Sequence, residues 1–421
     1  MNRERLLERF LRYVQVATTA NDSASTYPSS PGQLEFGKLL VDEAHAMGYS
    51  AAHQDEHGLV WIPIDSNLVR EAPRIAFNAH LDTSPETSGT GVKPHVIRDY
   101  AGGDVVISST REQYLRVDEN PELNAVIGKT IITTDGTTLL GGDDKAGIAI
   151  LMEVAQTLAE KPLIPRGPIT ILFTCDEEIG HGVDHVDFEK LAATACYTLD
   201  GGAADMIDVE TFSADLATVT VKGINIHPSI AKDRMINAIR IAGEFLSQLP
   251  PELSPERTEG RAGFVHPYVL EGGVAEATIK VLIRDFDTAR LQDHADLLRE
   301  IGSRLESMHP GCRIEVAIKR QYRNLGDGLR LEPRAVAYAR EAHRRLGRTP
   351  RQTIIRGGTD GSLFTEKGLP TPNLSSGQHN PHSPLEWACL DEMLAAGEVC
   401  LELIQVWEAG PTLEELPDAT A

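Results

Sequence analysis

The chain has 421 residues, too long for one core of ordinary size, so two domains are expected. Acidic residues outnumber basic ones, 62 to 40, and the net charge of −22 argues against nucleic acid or an anionic membrane surface as partner. Five scattered cysteines with no C-x-x-C spacing read as small buried thiols in a reducing compartment, which places the chain in the cytoplasm and argues against a disulfide framework.

The first sixteen residues carry charges throughout, with Leu6, Leu7, Phe10, Leu11 and Val14 at helical spacing. That pattern predicts an amphipathic surface helix and not a secretory leader. No apolar run has the length of a membrane span. After a polar loop, a second helix is expected from Pro31, a residue suited to a first helical turn, with Phe36, Leu39, Leu40 and Ala44 facing inward. Strands are expected at Arg74–Phe77, Thr130–Thr134, Ile169–Phe173 and Ala195–Leu199, with a helix over Gly147–Glu160. Alternating strands and helices imply an α/β sheet, mostly parallel and covered by helices, with ligands at the carboxyl ends of the strands.

Near residue 213 the pattern changes to half-buried strands and amphipathic helices in the order β-α-β-β-α-β, a ferredoxin-like α+β arrangement. We therefore expect an inserted domain at 213–326 that interrupts a catalytic domain built from 1–212 and 327–421. A helix at about Pro333–Leu346, a Gly-rich turn RGGTDGS, a histidine-bearing loop and a last helix from Leu390 follow. The acidic tail is expected to fray.

Metal-ligand residue types gather where apolar runs end. His80 and Asp82, two apart after a strand, can face one side, with His80 as a ligand and Asp82 accepting its other ring N–H. Asp143 in GGDDKAG either bridges two cations or caps the next helix, and the residues alone leave both open. Glu177 and Glu178 are adjacent and point apart, which suits one ligand and one proton acceptor. Asp200 ends a strand before Gly-Gly, and a late loop offers His379 and His382. Taken singly, each patch is an ordinary acidic turn or surface pair. The ordered set reads as a two-metal hydrolase site, and mixed imidazole and carboxylate donors favour Zn²⁺, Co²⁺ or Mn²⁺ over calcium.

The stretches AHLDTSPETSG, TTDGTTLLGGDDKAG, DEEIGHG, YTLDGG, INIHPS, IRDFD and IRGGTDGS, in this order up to about residue 400, resemble the M20 metallopeptidase family and within it the aminotripeptidase branch. The resemblance implies a zinc exopeptidase-like sheet with an inserted lid domain and two zinc ions per subunit. By position, His80 resembles a ligand of the first zinc and Asp82 the residue that orients it. Asp143 resembles the bridging carboxylate, Glu177 the general base, Glu178 a ligand of the second zinc and Asp200 the remaining ligand of the first. The family closes the second site with a His followed four residues later by Glu; His382 and Glu386 have that spacing, so His382 is chosen over His379. His379 stands where the branch has an aromatic residue. His227 resembles a contact to the peptide carbonyl or oxyanion, and Arg284 and Arg356 resemble clamps for the peptide carboxylate. The implied activity is release of the N-terminal residue from tripeptides by attack of metal-activated water. Another M20 amidohydrolase (dipeptidase, carboxypeptidase or N-acyl amino acid deacylase) and an inactive peptide-binding scaffold are the alternatives. Dimerisation through the inserted domain also rests on the resemblance.

Overall fold

The protein is described here from a computed structural model over residues 1–108 and 110–416. The last five residues of the acidic tail lie outside the described residues, and Leu413–Glu415 forms a short 3-10 turn before them. The chain divides into two compact units, one of Met1–Val209, Gly328–Thr353 and Thr359–Ala421, the other of Glu210–Asp327 and Ile354–Gly358.

In the first unit the central strands are Ile169–Thr174, Ile75–His80 and Ala195–Gly201, joined in parallel. The first two are buried at every residue, as expected where helices cover both faces of a sheet. The whole sheet has eight strands, ordered His53–Gln54, Val60–Ile64, Ile169–Thr174, Ile75–His80, Ala195–Gly201, Asn373–Ser375, Met206–Thr211 and Arg351–Ile355. Val60–Ile64 and Met206–Thr211 pair antiparallel with their neighbours, so the sheet is mixed. His80 pairs with Thr174 and Asn78 with Thr198, so parallel register carries His80, Thr174 and Asp200 to the same edge.

The helix Gly142–Glu160 is buried along most of its length, with Ile148, Leu151, Val154 and Leu158 in the core. Its span opens five residues earlier than the periodicity predicts, but Asp143 and Asp144 have non-helical backbone angles that kink it, and the regular helix follows them. At Gly147 the helix approaches a strand end so closely that a β-carbon would lie 2.3 Å from the Leu199 carbonyl oxygen. The opening helix Arg3–Tyr13 docks on it through charge: Glu153, fully buried, receives Arg5 Nε at 2.7 Å, Arg9 Nη1 at 2.8 Å and the Asn2 amide at 2.9 Å.

One expected strand lies elsewhere. Ile131–Thr133 joins a separate small sheet with His95–Ile97, Trp387–Cys389 and Gln378–His379, all antiparallel. A run of three apolar residues carries no information about its partner.

The second unit has the expected β-α-β-β-α-β order: Ser213–Lys222, Ala238–Ser247, Phe264–Gly272, Glu276–Asp285, Arg290–Met308 and Arg313–Tyr322. Its four strands are antiparallel, with Phe264–Gly272 and Arg313–Tyr322 at the edges. Alternate residues such as Ala217, Val219, Val221, Ile279, Val281 and Ile283 face its two helices. Among the described residues no helix is long and apolar enough to cross a membrane.

Candidate metal centre

The carboxyl edge of the central strands gathers donors from five separate segments. His80 ends its strand fully buried, with Nε2 2.9 Å from Asp143 Oδ1 and 3.8 Å from Asp200 Oδ1. The other oxygen of Asp143 lies 3.3 Å from His382 Nε2, which is also 2.9 Å from Glu178 Oε2. Asp143 therefore stands between two imidazoles, one oxygen to each. Donor atoms of His80, Asp143 and Glu178, and of His80, Asp144 and Asp200, lie within 4.8 Å of one another.

The two adjacent aspartates separate by their partners. Asp144 accepts the His80 amide on one oxygen and the Gly147 amide on the other, both at 3.2 Å. It thereby caps the helix and fixes the strand end, and those oxygens are committed to backbone. Asp143 meets imidazoles instead. Asp144 thus takes the capping contacts, while Asp143 turns one oxygen to each imidazole.

Asp82 is fully buried beside the other face of His80, with Oδ1 3.4 Å from Nδ1. Its two oxygens also receive the backbone amides of Glu177 and Glu178 at 3.1 and 3.0 Å. His80 Nδ1 also meets the Asp82 backbone carbonyl at 3.2 Å, and the Asp82 carboxylate holds the turn that carries both glutamates. Asp176, just before that turn, has left-handed backbone (φ 60°), and Ser29 and Gln33 secure its carboxylate. His382 also has positive φ (63°), a conformation that side chains with a β-carbon rarely adopt.

Burial and mutual repulsion act on Glu178, Asp200 and Glu177. Burial pushes the Glu178 carboxyl up to about 8, and the Asp143 charge adds to it. Asp200 rises to about 6 for the same two reasons. Burial raises Glu177 well above the carboxylate range, although the charge of His80 opposes the rise. Burial also works against a charged imidazole, yet hydrogen bonds to Asp143 and Glu178 outweigh it at His382 and lift it to about 11. His80 is lifted likewise by Asp143, Asp200 and Asp82. Protons on these imidazoles supply the positive charge that the carboxylates demand. Glu178 Oε1 is buried and has no hydrogen-bond partner. With imidazole and carboxylate donors of His80, Asp143 and Glu178, and of His80, Asp144 and Asp200, each set within 4.8 Å, the residues present fit divalent cations.

Several supporting residues escaped the sequence reading or were noted only for spacing. Glu386 is completely buried and accepts three backbone amides: Leu140 and Gly141 on Oε2 at 2.7 and 2.8 Å, and Asp143 on Oε1 at 3.0 Å. It pins the turn that presents Asp143. Gln378 donates to Asp200 Oδ1 at 3.0 Å. Lys145 is buried with its ammonium 2.6 Å from the Val16 carbonyl, and burial lowers it to about 7. His379 stays out of the cluster: it stacks on Trp387 at 3.8 Å and pairs with Glu392 at 2.8 Å.

The three residues expected to contact substrate lie in the second unit. His227 is exposed, with its Nδ1 2.7 Å from the Ser229 hydroxyl. Arg284 is buried over the Tyr322 ring and donates to the carbonyls of Asp215 and Ile283. Arg356 spans Phe212 and Phe264 and donates to the carbonyls of Gly260 and Ala262 and to the Thr258 hydroxyl. Both guanidinium groups hold their own unit together.

Residues 135–406 match the sequence profile of peptidase family M20/M25/M40. Peptidase T of Halothermothrix orenii is 41% identical over 403 residues, covering 96% of this chain and 99% of that protein. Peptidase T of Bacillus subtilis is 40% identical over 407 residues, 97% and 99% of the two chains. Among solved structures, a tripeptidase from Staphylococcus aureus superposes with TM-score 0.77 at 24% identity, over 97% of this chain and 99% of that one. A dinuclear metal-binding M20 peptidase from Bacillus subtilis superposes with TM-score 0.63 at 15% identity, over 96% and 98%. At these identities the structural matches speak for the fold.

Proposed function

We infer that this chain, which belongs to peptidase family M20/M25/M40 and to the peptidase T group within it, is a metal-dependent hydrolase that releases the N-terminal residue of tripeptides. The observation that carries the reading is the meeting of His80, Asp143, Glu178, Asp200 and His382 around one point, with Glu177 on the same turn as Glu178. His80 and Asp200 would hold one ion, Glu178 and His382 a second, and Asp143 both. The donor set suits zinc, with cobalt or manganese as substitutes.

When bound, such a metal pair polarises the scissile carbonyl and lowers the pKa of water. The chain's own residues do the rest. Asp82, through its backbone carbonyl at 3.2 Å and its carboxylate at 3.4 Å, would accept the Nδ1–H of His80 and leave Nε2 free to ligate. Glu177 takes the proton from the attacking water and hands it to the departing amine nitrogen as the C–N bond breaks. His227 is assigned to the peptide carbonyl and Arg284 and Arg356 to the peptide carboxylate, a role in which the two guanidinium groups would have to give up backbone carbonyls they hold within their own unit. Five free, buried cysteines support a cytoplasmic setting, and a homodimer through the second unit belongs to the same reading.

The test is metal content measured together with hydrolysis of a free-amine tripeptide, a dipeptide and an N-acetyl amino acid, before and after chelation. Tripeptide preference, loss on chelation and recovery with zinc are expected. Preference for the acetylated compound replaces the aminopeptidase with a deacylase.

A further inference from the structure

Asp360 is a buried acid that the chemistry above does not use. It opens the helix Asp360–Glu366 in the turn RGGTDGS and is 1% exposed. Its Oδ2 accepts the Thr174 hydroxyl at 2.6 Å. Thr174 in turn accepts from Asn78 Nδ2 at 3.0 Å, and Asn78 Oδ1 accepts the Thr198 hydroxyl at 3.0 Å. The shortest bond of each donor in this buried chain runs toward Asp360, with the Leu172 and Ala79 carbonyls at 3.3 and 3.4 Å from Asn78 Nδ2 and the Thr174 hydroxyl. This run of bonds crosses the three central strands, with Thr174 level with His80, and Asn78 and Thr198 two residues before His80 and Asp200.

The second oxygen, Oδ1, is buried with no hydrogen-bond partner. It faces Gly182 so closely that a β-carbon there would lie 1.8 Å from it. Gly182 belongs to the turn that follows Glu177 and Glu178. That turn is closed by the Gly180 amide on the Glu177 carbonyl at 2.7 Å and the His181 amide on the Asp176 carbonyl at 2.9 Å. Asp82 holds the turn at its start, through the amides of Glu177 and Glu178. Asp360 meets it at its far end.

A buried carboxyl with an orphaned oxygen costs stability, and a core built for stability alone has no use for it. Such local violations are expected where function requires them. We propose that Asp360 is a positioning residue for the proposed hydrolysis, wedged beneath Gly182 so that the turn carrying Glu177 stays at a fixed height above the strand end at Thr174. The proposal rests on the reading of Glu177 as the proton carrier.

The experiment compares the parent, Asp360→Asn, Asp360→Ala, Gly182→Ala and the Gly182→Ala/Asp360→Ala double variant as metal-loaded proteins. Steady-state kinetics, metal content, melting temperature and amide hydrogen exchange over residues 177–182 are measured on each. Asp360→Ala is expected to lower kcat by about tenfold or more with KM within about threefold, at unchanged metal content and unchanged or higher melting temperature. Its amides at 177–182 exchange faster than the parent's. Asp360→Asn keeps the shape and an acceptor for Thr174, and recovers most of kcat. Gly182→Ala alone is impaired, and in the double variant the lost carboxyl makes room for the methyl, so the two effects do not add. The proposal is overturned if Asp360→Ala leaves kcat and exchange at parental values, or if kcat falls only in step with metal content or melting temperature. A parent inactive on tripeptides sinks the aminopeptidase reading instead, and the exchange comparison still decides the role of Asp360.

Discussion

Glu386 offers the sharpest separation of stability from function. Consider Glu386→Gln. The amide oxygen can replace Oε2 and keep the Leu140 and Gly141 amides, but the NH₂ group then confronts the Asp143 amide, donor against donor. Losing one charge-assisted bond and stranding a buried donor costs roughly 1.5–3 kcal/mol. Against this, burial raises the Glu386 carboxyl from 4.5 to about 7, its three backbone bonds notwithstanding. In metal-free protein above pH 7 that shift corresponds to about 3 kcal/mol of penalty for the ionised side chain, which a neutral glutamine does not bear. The two terms nearly cancel. The sign follows from proton counting: between 4.5 and about 7 the folded state binds the extra proton, so stability falls as pH rises through that window in the parent and not in the variant. Chelated Glu386→Gln should therefore melt within a few degrees of chelated parent at pH 8. The bond it loses is the one that fixes Asp143, so metal affinity and kcat/KM should fall by about 10–100-fold. Denaturation of the chelated proteins and metal titration against a competing chelator measure both quantities. A clear loss of stability with parental metal affinity would refute the account.

Other outcomes follow from the same geometry. Glu177→Gln should retain metal and peptide binding while kcat drops by about 10²–10⁴-fold, and parental turnover removes Glu177 from its role. Metal uptake at neutral pH should release protons, because His382, at about 11, and His80 carry them in metal-free protein. Calorimetry in buffers of different ionisation enthalpy counts these protons, and apparent affinity should rise with pH toward the His382 value. Glu153→Ala takes from Arg9 its buried partner and leaves it Glu43 at 3.2 Å, and should cost roughly 1.5–3 kcal/mol in chemical denaturation without altering metal stoichiometry.

How much of this was legible beforehand depends on how far each residue's partners lie along the chain. His80 and Asp82 could be read because their relation is local: a strand ends, and a spacing of two puts both on one side. The second unit could be read because alternation within each strand reports its own buried face. Ile131–Thr133 could not be placed, since three apolar residues say nothing about whether they meet Ile75–His80 or Trp387–Cys389. Asp143 and Asp144 look alike in sequence. They differ only because the strand end and Gly147 amide claim one, and two imidazoles 63 and 239 residues away claim the other.

Glu386 and Asp360 press the same point further. Glu386 was visible only as a spacing from His382, and its three amides lie about 240 residues upstream. Asp360 resembles any acidic residue at the start of a helix, and its partners Thr174 and Gly182 lie in another segment. Ligand types announce themselves by chemistry. The acids that hold them are ordinary in type and become distinctive only through burial and the backbone they face. A residue whose identity opposes its environment is therefore the signal that folding adds: a carboxyl at 1% exposure with an orphaned oxygen, beside a glycine that leaves it no spare room, is the ground on which a positioning role is proposed for Asp360, where RGGTDGS alone gave it none.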